Sequence, residues 1–169
     1  TRKAAFEILH KYEKISRDSK IEKLIEIVKE IFKNDNQKVL IYTKHPITLK
    51  YISEKLRELD LKIVEFLGGQ DGEERTKIIK EFRENAQILI STETGSEGLN
   101  FQFCNNLINY DLPWNPMSVE QRIGRIDRIG QKKDMNIYSL ATKNTMEEHV
   151  VDLIINKMCC IGLVIGELP

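Results

Sequence analysis

The chain has 169 residues, 41% apolar and 31% charged, with 26 Lys plus Arg against 26 Asp plus Glu and a formal net charge of +0. That length is one ordinary domain, able to bury a core of its own without a metal or disulfide staple. The even balance of charge excludes a protein that holds nucleic acid by bulk positive charge, and leaves room only for a local basic patch.

Strand-like and helix-like patterns alternate along the chain. Residues 4 to 15 place Ala5, Ile8, Leu9, Tyr12 and Ile15 at helical spacing. Ser19 with Glu22 reads as a capping box opening a second helix, which carries Ile21, Leu24, Ile25, Val28, Ile31 and Phe32. The run from Lys38 to Thr43 is continuously apolar, as in a strand buried on both faces. A helix over 47–60 follows, with Ile52, Leu56 and Leu59 inward, then a strand over 63–67 ending at Gly68-Gly69. A charged helix over 71–85 turns Ile78, Ile79 and Phe82 inward, and strands are expected over 87–92 and 107–110. Asn115 caps, and Pro116 opens, a helix expected to run to about Ile129. A strand over 135–140 and a helix over 145–160 with a Thr145–Glu148 capping box close the pattern.

Strands separated by helices of ten to fifteen residues predict βαβ units. The fold class is α/β, a mostly parallel central sheet of five to six strands flanked by helices. Residues 1–34 read as a helical lead-in, 35–160 as the α/β domain, and 161–169 as an apolar tail. Three scattered His and three Cys, without a CxxC or HExxH, predict no metal site. That cysteine usage reads as a reducing cytoplasm. The longest apolar run, residues 158–165, is far short of the roughly 18 needed to span a bilayer, so no membrane partner is expected. No secretory signal opens the chain, and its start at Thr1 reads as a segment of something longer.

In an open parallel sheet, ligands gather at the carboxyl ends of the strands. Four polar segments fall there: Lys44-His45, Gly68-Gly69-Gln70, Glu93 to Phe101, and Asp111 to Asn115. The segment from Ser91 to Phe101 holds two glycines and several hydroxyls, which suits backbone contact with phosphate or ribose. A plain turn needing positive φ at Gly95 and Gly98 fits it as well. In the run from Gln121 to Gln131, Arg122, Arg125 and Arg128 recur every third residue. On a helix Arg125 and Arg128 are neighbours, and two adjacent guanidinium groups want an anion between them. A nucleotide γ-phosphate is one such anion, and Glu120 with Asp127 is the alternative. Gly124 leaves room for another backbone or a ligand. No GxxxxGK[ST] loop and no Asp-Glu pair ending a strand is present to hold a triphosphate or its Mg2+.

These residues resemble known motifs. The segments 38–44, 91–101 and 121–131 are similar, in order and spacing, to the fourth, fifth and sixth motifs of superfamily-two helicases. With Asn109 to Pro116 and the Arg128-Ile-Gly-Gln131 ending, the chain resembles the second RecA-like lobe of the Swi/Snf-type ATPases, nearest to bacterial RNA-polymerase-associated-type members. The resemblance implies a RecA-like three-layer sandwich and a DNA-stimulated, ATP-dependent translocase on double-stranded DNA. It implies Arg125 and Arg128 as arginine fingers with Gln121 beside the nucleotide, and Glu97, Gly98 and Asn100 near the ribose. Thr43, Lys44, Gly68, Gly69 and Thr92 would line the nucleic-acid groove, and no role is assigned to Arg122. ATP with Mg2+ would be held mainly by a first RecA-like lobe of the same polypeptide. The isolated chain would be a monomer without appreciable ATPase activity, and the whole protein cytoplasmic, nucleoid-associated when on DNA. The rival class is a non-catalytic RecA-like partner-binding or regulatory domain. A flavodoxin-like or receiver domain would need a flavin phosphate loop or an acidic phosphoacceptor cluster, for which Asp111 alone is a poor substitute.

Overall fold

A computed structural model describes residues 17–34, 37–96, 98–127 and 134–165. The helix expected over residues 4–15 lies outside them.

Each strand is a four-residue run with an apolar centre, except β2, whose Glu65 interrupts it. Strands β1 (Val39–Tyr42), β2 (Ile63–Phe66), β3 (Ile88–Ser91), β4 (Asn106–Asn109) and β5 (Asn136–Ser139) form one five-stranded sheet in the order β2-β3-β1-β4-β5. Every pairing is parallel, with Val39 opposite both Ile88 and Asn106. Strands β1, β3 and β4 are buried at all four positions, as expected of strands covered on both faces.

Alternation along the strands sorts the core into two layers. Val39, Ile41, Ile88, Ile90 and Ile108 face one side, against α1 (Ser19–Ile31) and α2 (Pro46–Arg57), which contribute Leu24, Val28, Leu49, Ile52 and Leu56. Leu40, Leu89 and Leu107 face the other, against Phe82 of α3 (Gly72–Glu84), Phe101, Cys104 and Ile126. Burial pushes the Cys104 thiol up to about 12, so it stays a neutral core residue. A third cluster joins Val119 of α5 (Pro116–Ile123) to Val150 of α6 (Met146–Ile165). Among the described residues no helix is long and apolar enough to cross a membrane.

Several local expectations are corrected. The cap of α1 is Asp18, whose Oδ1 accepts from the N–H groups of Lys20 and Ile21 at 3.0 and 3.1 Å, and Ser19 is the first helical residue. Helix α1 packs onto the sheet, with Ile21, Leu24, Val28 and Ile31 at 6% exposure or less. Helix α5 stops at Ile123 rather than near Ile129. The Arg125 carbonyl, which a longer helix would give to its next turn, instead accepts from the Phe101 N–H at 2.8 Å, and Ile126 turns into the core. Helix α6 runs through Ile165, five residues beyond its expected end.

Candidate functional site

Because all five strands are parallel, their carboxyl ends share one rim. The connection after β1 leaves towards β2 and that after β4 towards β5, so the chain diverges between these neighbours and a crevice opens there.

Asp111, just beyond β4, organises this crevice. Its Oδ2 accepts from the Thr43 hydroxyl at 2.5 Å and from the Lys44 N–H at 3.1 Å. Its Oδ1 faces the Lys20 ammonium at 3.5 Å, and that ammonium also reaches Glu147 of α6 at 2.8 Å. Thr43 is fully buried, whereas Lys44 and His45 are exposed. They border a cleft of about 180 Å³ with Asp111, Trp114, Met146 and Glu147. Trp114 is 67% exposed. Burial first, then the charges of Asp18 and Asp111, pushes the neighbouring Tyr110 phenol upward, so it stays neutral.

At the other half of the rim, Gly68 and Gly69 form the exposed turn after β2, with Gly69 at φ +91. Thr92 is 5% exposed and its N–H donates to the Phe66 carbonyl at 3.2 Å. The chain then winds into a single turn, α4 (Glu93–Ser96). Positive φ is found at Gly98 (+78) but not at Gly95. Gly95 is needed for space, because a Cβ there would stand 2.7 Å from the Phe66 carbonyl oxygen. Asn100 is exposed, and its side chain closes a small turn onto Gln102 by accepting from the Gln102 N–H at 3.0 Å and donating to its Oε1 at 3.2 Å. Glu97 lies outside the described residues.

The arginine segment is split by the early end of α5. Gln121 is exposed on the last turn. Arg125 sits beyond the helix, half-buried, its backbone N–H donating to the Arg122 carbonyl and its own carbonyl accepting from Phe101. Its guanidinium makes no hydrogen bond or ion pair with a described residue. Arg128 lies outside the described residues, so the expected helical adjacency of the two arginines reduces to Arg125 on a turn. Gly124 ends the helix at φ −60, and a Cβ there would meet only Glu120 and Gln121 carbonyls, at 3.4 and 3.7 Å.

Three residues have roles that sequence reasoning did not assign. Arg122 is 4% exposed, with Nη1 donating to Asn109 Oδ1 at 2.9 Å and to the Asp111 carbonyl at 2.8 Å. Its Nη2 donates to Glu93 Oε1 at 2.6 Å. The signal was present in the spacing, since Arg122 follows the buried Val119 by three residues and so lies on the packed face of α5. Nothing local singles out Asp111 or Glu93 as its neighbours.

A five-stranded parallel sheet between helical layers, carrying an arginine turn at its carboxyl rim, defines a RecA-like lobe. The chain belongs to the helicase conserved C-terminal domain family, whose profile matches residues 19–130. It is 41% identical to the ATP-dependent helicase YqhH of Bacillus subtilis over 161 residues, 95% of this chain and 28% of that protein. It is 42% identical over 134 residues to the RNA polymerase-associated protein RapA of Vibrio campbellii, 77% of this chain and 14% of that protein. The chain therefore spans less than a third of the length of either relative. Among solved structures it is similar to the C-terminal part of the Fun30 ATPase domain, with a TM-score of 0.75, 31% identity, and 82% of this chain and 45% of that one covered. The Pyrococcus furiosus Hef helicase domain aligns with a TM-score of 0.68 at 26% identity, over 90% of this chain and 32% of that one. The Swi/Snf-type resemblance of the motifs and the RecA-like expectation of the fold both hold.

Proposed function

We propose that this chain is the second ATPase lobe of a DNA-stimulated, ATP-dependent translocase acting on double-stranded DNA. The observation that carries the reading is the state of Arg125, a half-buried guanidinium on a turn held by two backbone hydrogen bonds, with no internal partner among the described residues. Such a group is preorganised to meet negative charge arriving from outside the lobe.

ATP and Mg2+ are held mainly by a first RecA-like lobe of the same polypeptide. This chain offers guanidinium, amide and backbone donors that suit triphosphate oxygens, while the Asp111 carboxylate is already engaged by Thr43, Lys44 and Lys20. Bound Mg2+ neutralises charge on the phosphates. Arg125, with Arg128, acts as the arginine finger on the γ-phosphoryl group, where charge spreads over its oxygens in the transition state, and Gln121 lies beside it. Glu97, Gly98 and Asn100 border the ribose. Lys44, with Thr43 setting its turn through Asp111, and Gly68, Gly69 and Thr92 line the nucleic-acid groove. Such contacts go to phosphates and carry no sequence information, so the motor tracks any duplex. The protein works in the cytoplasm, at the nucleoid when on DNA.

The test is ATP hydrolysis by a polypeptide joining this chain to its first lobe, with and without duplex DNA. Arg125→Ala lowers kcat about 10³-fold or more, and the 169-residue chain alone shows no hydrolysis above background. Hydrolysis by the isolated chain, or full activity in Arg125→Ala, refutes the finger assignment. A two-lobe polypeptide that hydrolyses no ATP, with or without duplex DNA, turns the reading towards a non-catalytic, partner-binding RecA-like domain.

A further inference from the structure

We infer that Arg122 is a positioning residue for this hydrolysis, fixing the turn that carries Arg125; the inference rests on the finger assignment proposed above. A guanidinium that reaches out of its own lobe cannot set its own place. It inherits its position from the backbone beneath it. That backbone is held at two points, one of them the Arg122 carbonyl, three residues upstream.

Arg122 is in turn fixed by three different segments. Its two Nη atoms reach Asn109 at the end of β4, the Asp111 carbonyl beyond it, and Glu93 at the start of α4, after β3. The Tyr42 ring at the end of β1 lies 5.1 Å from its Cζ. One planar group therefore contacts the carboxyl ends of β1, β3 and β4 together, a reach that needs the multiple donors of a guanidinium fork. At this place on α5 an apolar residue would satisfy packing alone, as Val119 does one turn earlier. Arg122 instead buries a cation and leaves its Nε without a partner among the described residues, an arrangement that packing by itself does not call for. The same carbonyl of Asp111 belongs to the residue whose carboxylate holds Thr43 and Lys44, so the arginine turn and the Lys44 turn are seated on one residue.

The experiment compares Arg122→Lys, Glu93→Gln and Arg125→Lys in the two-lobe polypeptide, reading thermal midpoint, ATP KM and DNA-stimulated kcat. Lysine keeps the charge and loses the fork. Glu93→Gln removes the charge at the half-exposed end of the network and keeps a side-chain oxygen that can accept from Arg122, and the thermal midpoint reads any cost to the fold. Both variants are expected to lower kcat, Arg122→Lys about tenfold and Glu93→Gln about threefold, with KM for ATP changed less than about twofold. In an Arg125→Lys background, Arg122→Lys is expected to add less than about twofold, because its effect runs through Arg125. Unchanged kcat in both single variants, or losses that multiply fully in the double variant, overturns the inference. If Arg122→Lys does not fold, Glu93→Gln alone decides by the same criterion. Should Arg125→Lys itself leave kcat intact, the finger assignment falls, a result distinct from failure of the Arg122 role.

Discussion

Glycines in this chain serve unlike purposes, and substitution separates them. Gly95 lies where α4 crosses the end of β2, and a Cβ would press to 2.7 Å from a backbone oxygen and 3.1 Å from the Ser91 hydroxyl. Neither neighbour is the free end of a flexible chain, so the strand must shift. Gly95→Ala is expected to destabilise the fold by about 1–3 kcal/mol, the usual range for overpacking. Gly124 has ordinary right-handed φ and neighbours at van der Waals distance. Gly124→Ala should be neutral, or stabilising by up to about 1 kcal/mol through reduced freedom of the unfolded chain. Urea unfolding of the two variants side by side checks both, and equal destabilisation would contradict the assignment of Gly95 to close packing.

At the scale of the element, the ends of helices are set by side chains outside them. Asp18 satisfies two amide groups of α1 that would otherwise lack partners, and its other oxygen accepts from the Tyr51 hydroxyl at 3.1 Å. Asp18→Ala is expected to cost about 1 kcal/mol, while Ser19→Ala, changing a first-turn residue, costs only a few tenths. The reverse order in thermal melts would restore Ser19 as the cap. Helix α5 is governed in the same way at its start, by the Asn115 side chain accepting from the Met117 N–H at 3.0 Å, and beyond its end by a backbone group, the Phe101 N–H that claims the Arg125 carbonyl. The second of these ends the helix in time to turn Arg125 away from the helical stack.

On the scale of the molecule, the parallel sheet makes one rim of all the strand ends, and the crevice between β1 and β4 brings Lys44 to its surface. With a net charge of +0, few phosphates can be neutralised by this lobe, so its share of duplex binding is expected to depend on salt through a small number of contacts. Lys44→Ala should weaken binding of the two-lobe polypeptide equally on unrelated duplexes and reduce the slope of log affinity against log salt by about 1. Fluorescence anisotropy across a salt series measures this. An unchanged slope would place Lys44 off the track.

The inner sheet was legible in the sequence because β1, β3 and β4 are short runs with apolar centres, buried on both faces, and such runs announce themselves without reference to anything distant. The order of the three motifs, the Asn115-Pro116 helix start and the inward face of α3 are local in the same sense. What could not be read locally depends on partners far along the chain. The end of α5 is decided by Phe101, the need for Gly95 by Phe66, and the confinement of Arg122 by Asn109, Asp111 and Glu93. Periodicity carries the face a residue presents, and so could have marked Arg122 as buried; it carries nothing about which atoms wait on that face. The sequence by itself determined the layers and the arginine-bearing segment, and only tertiary contact decided that Arg122 is tied into the rim while Arg125 stands on a turn beyond the helix, because the partners that hold each lie far along the chain.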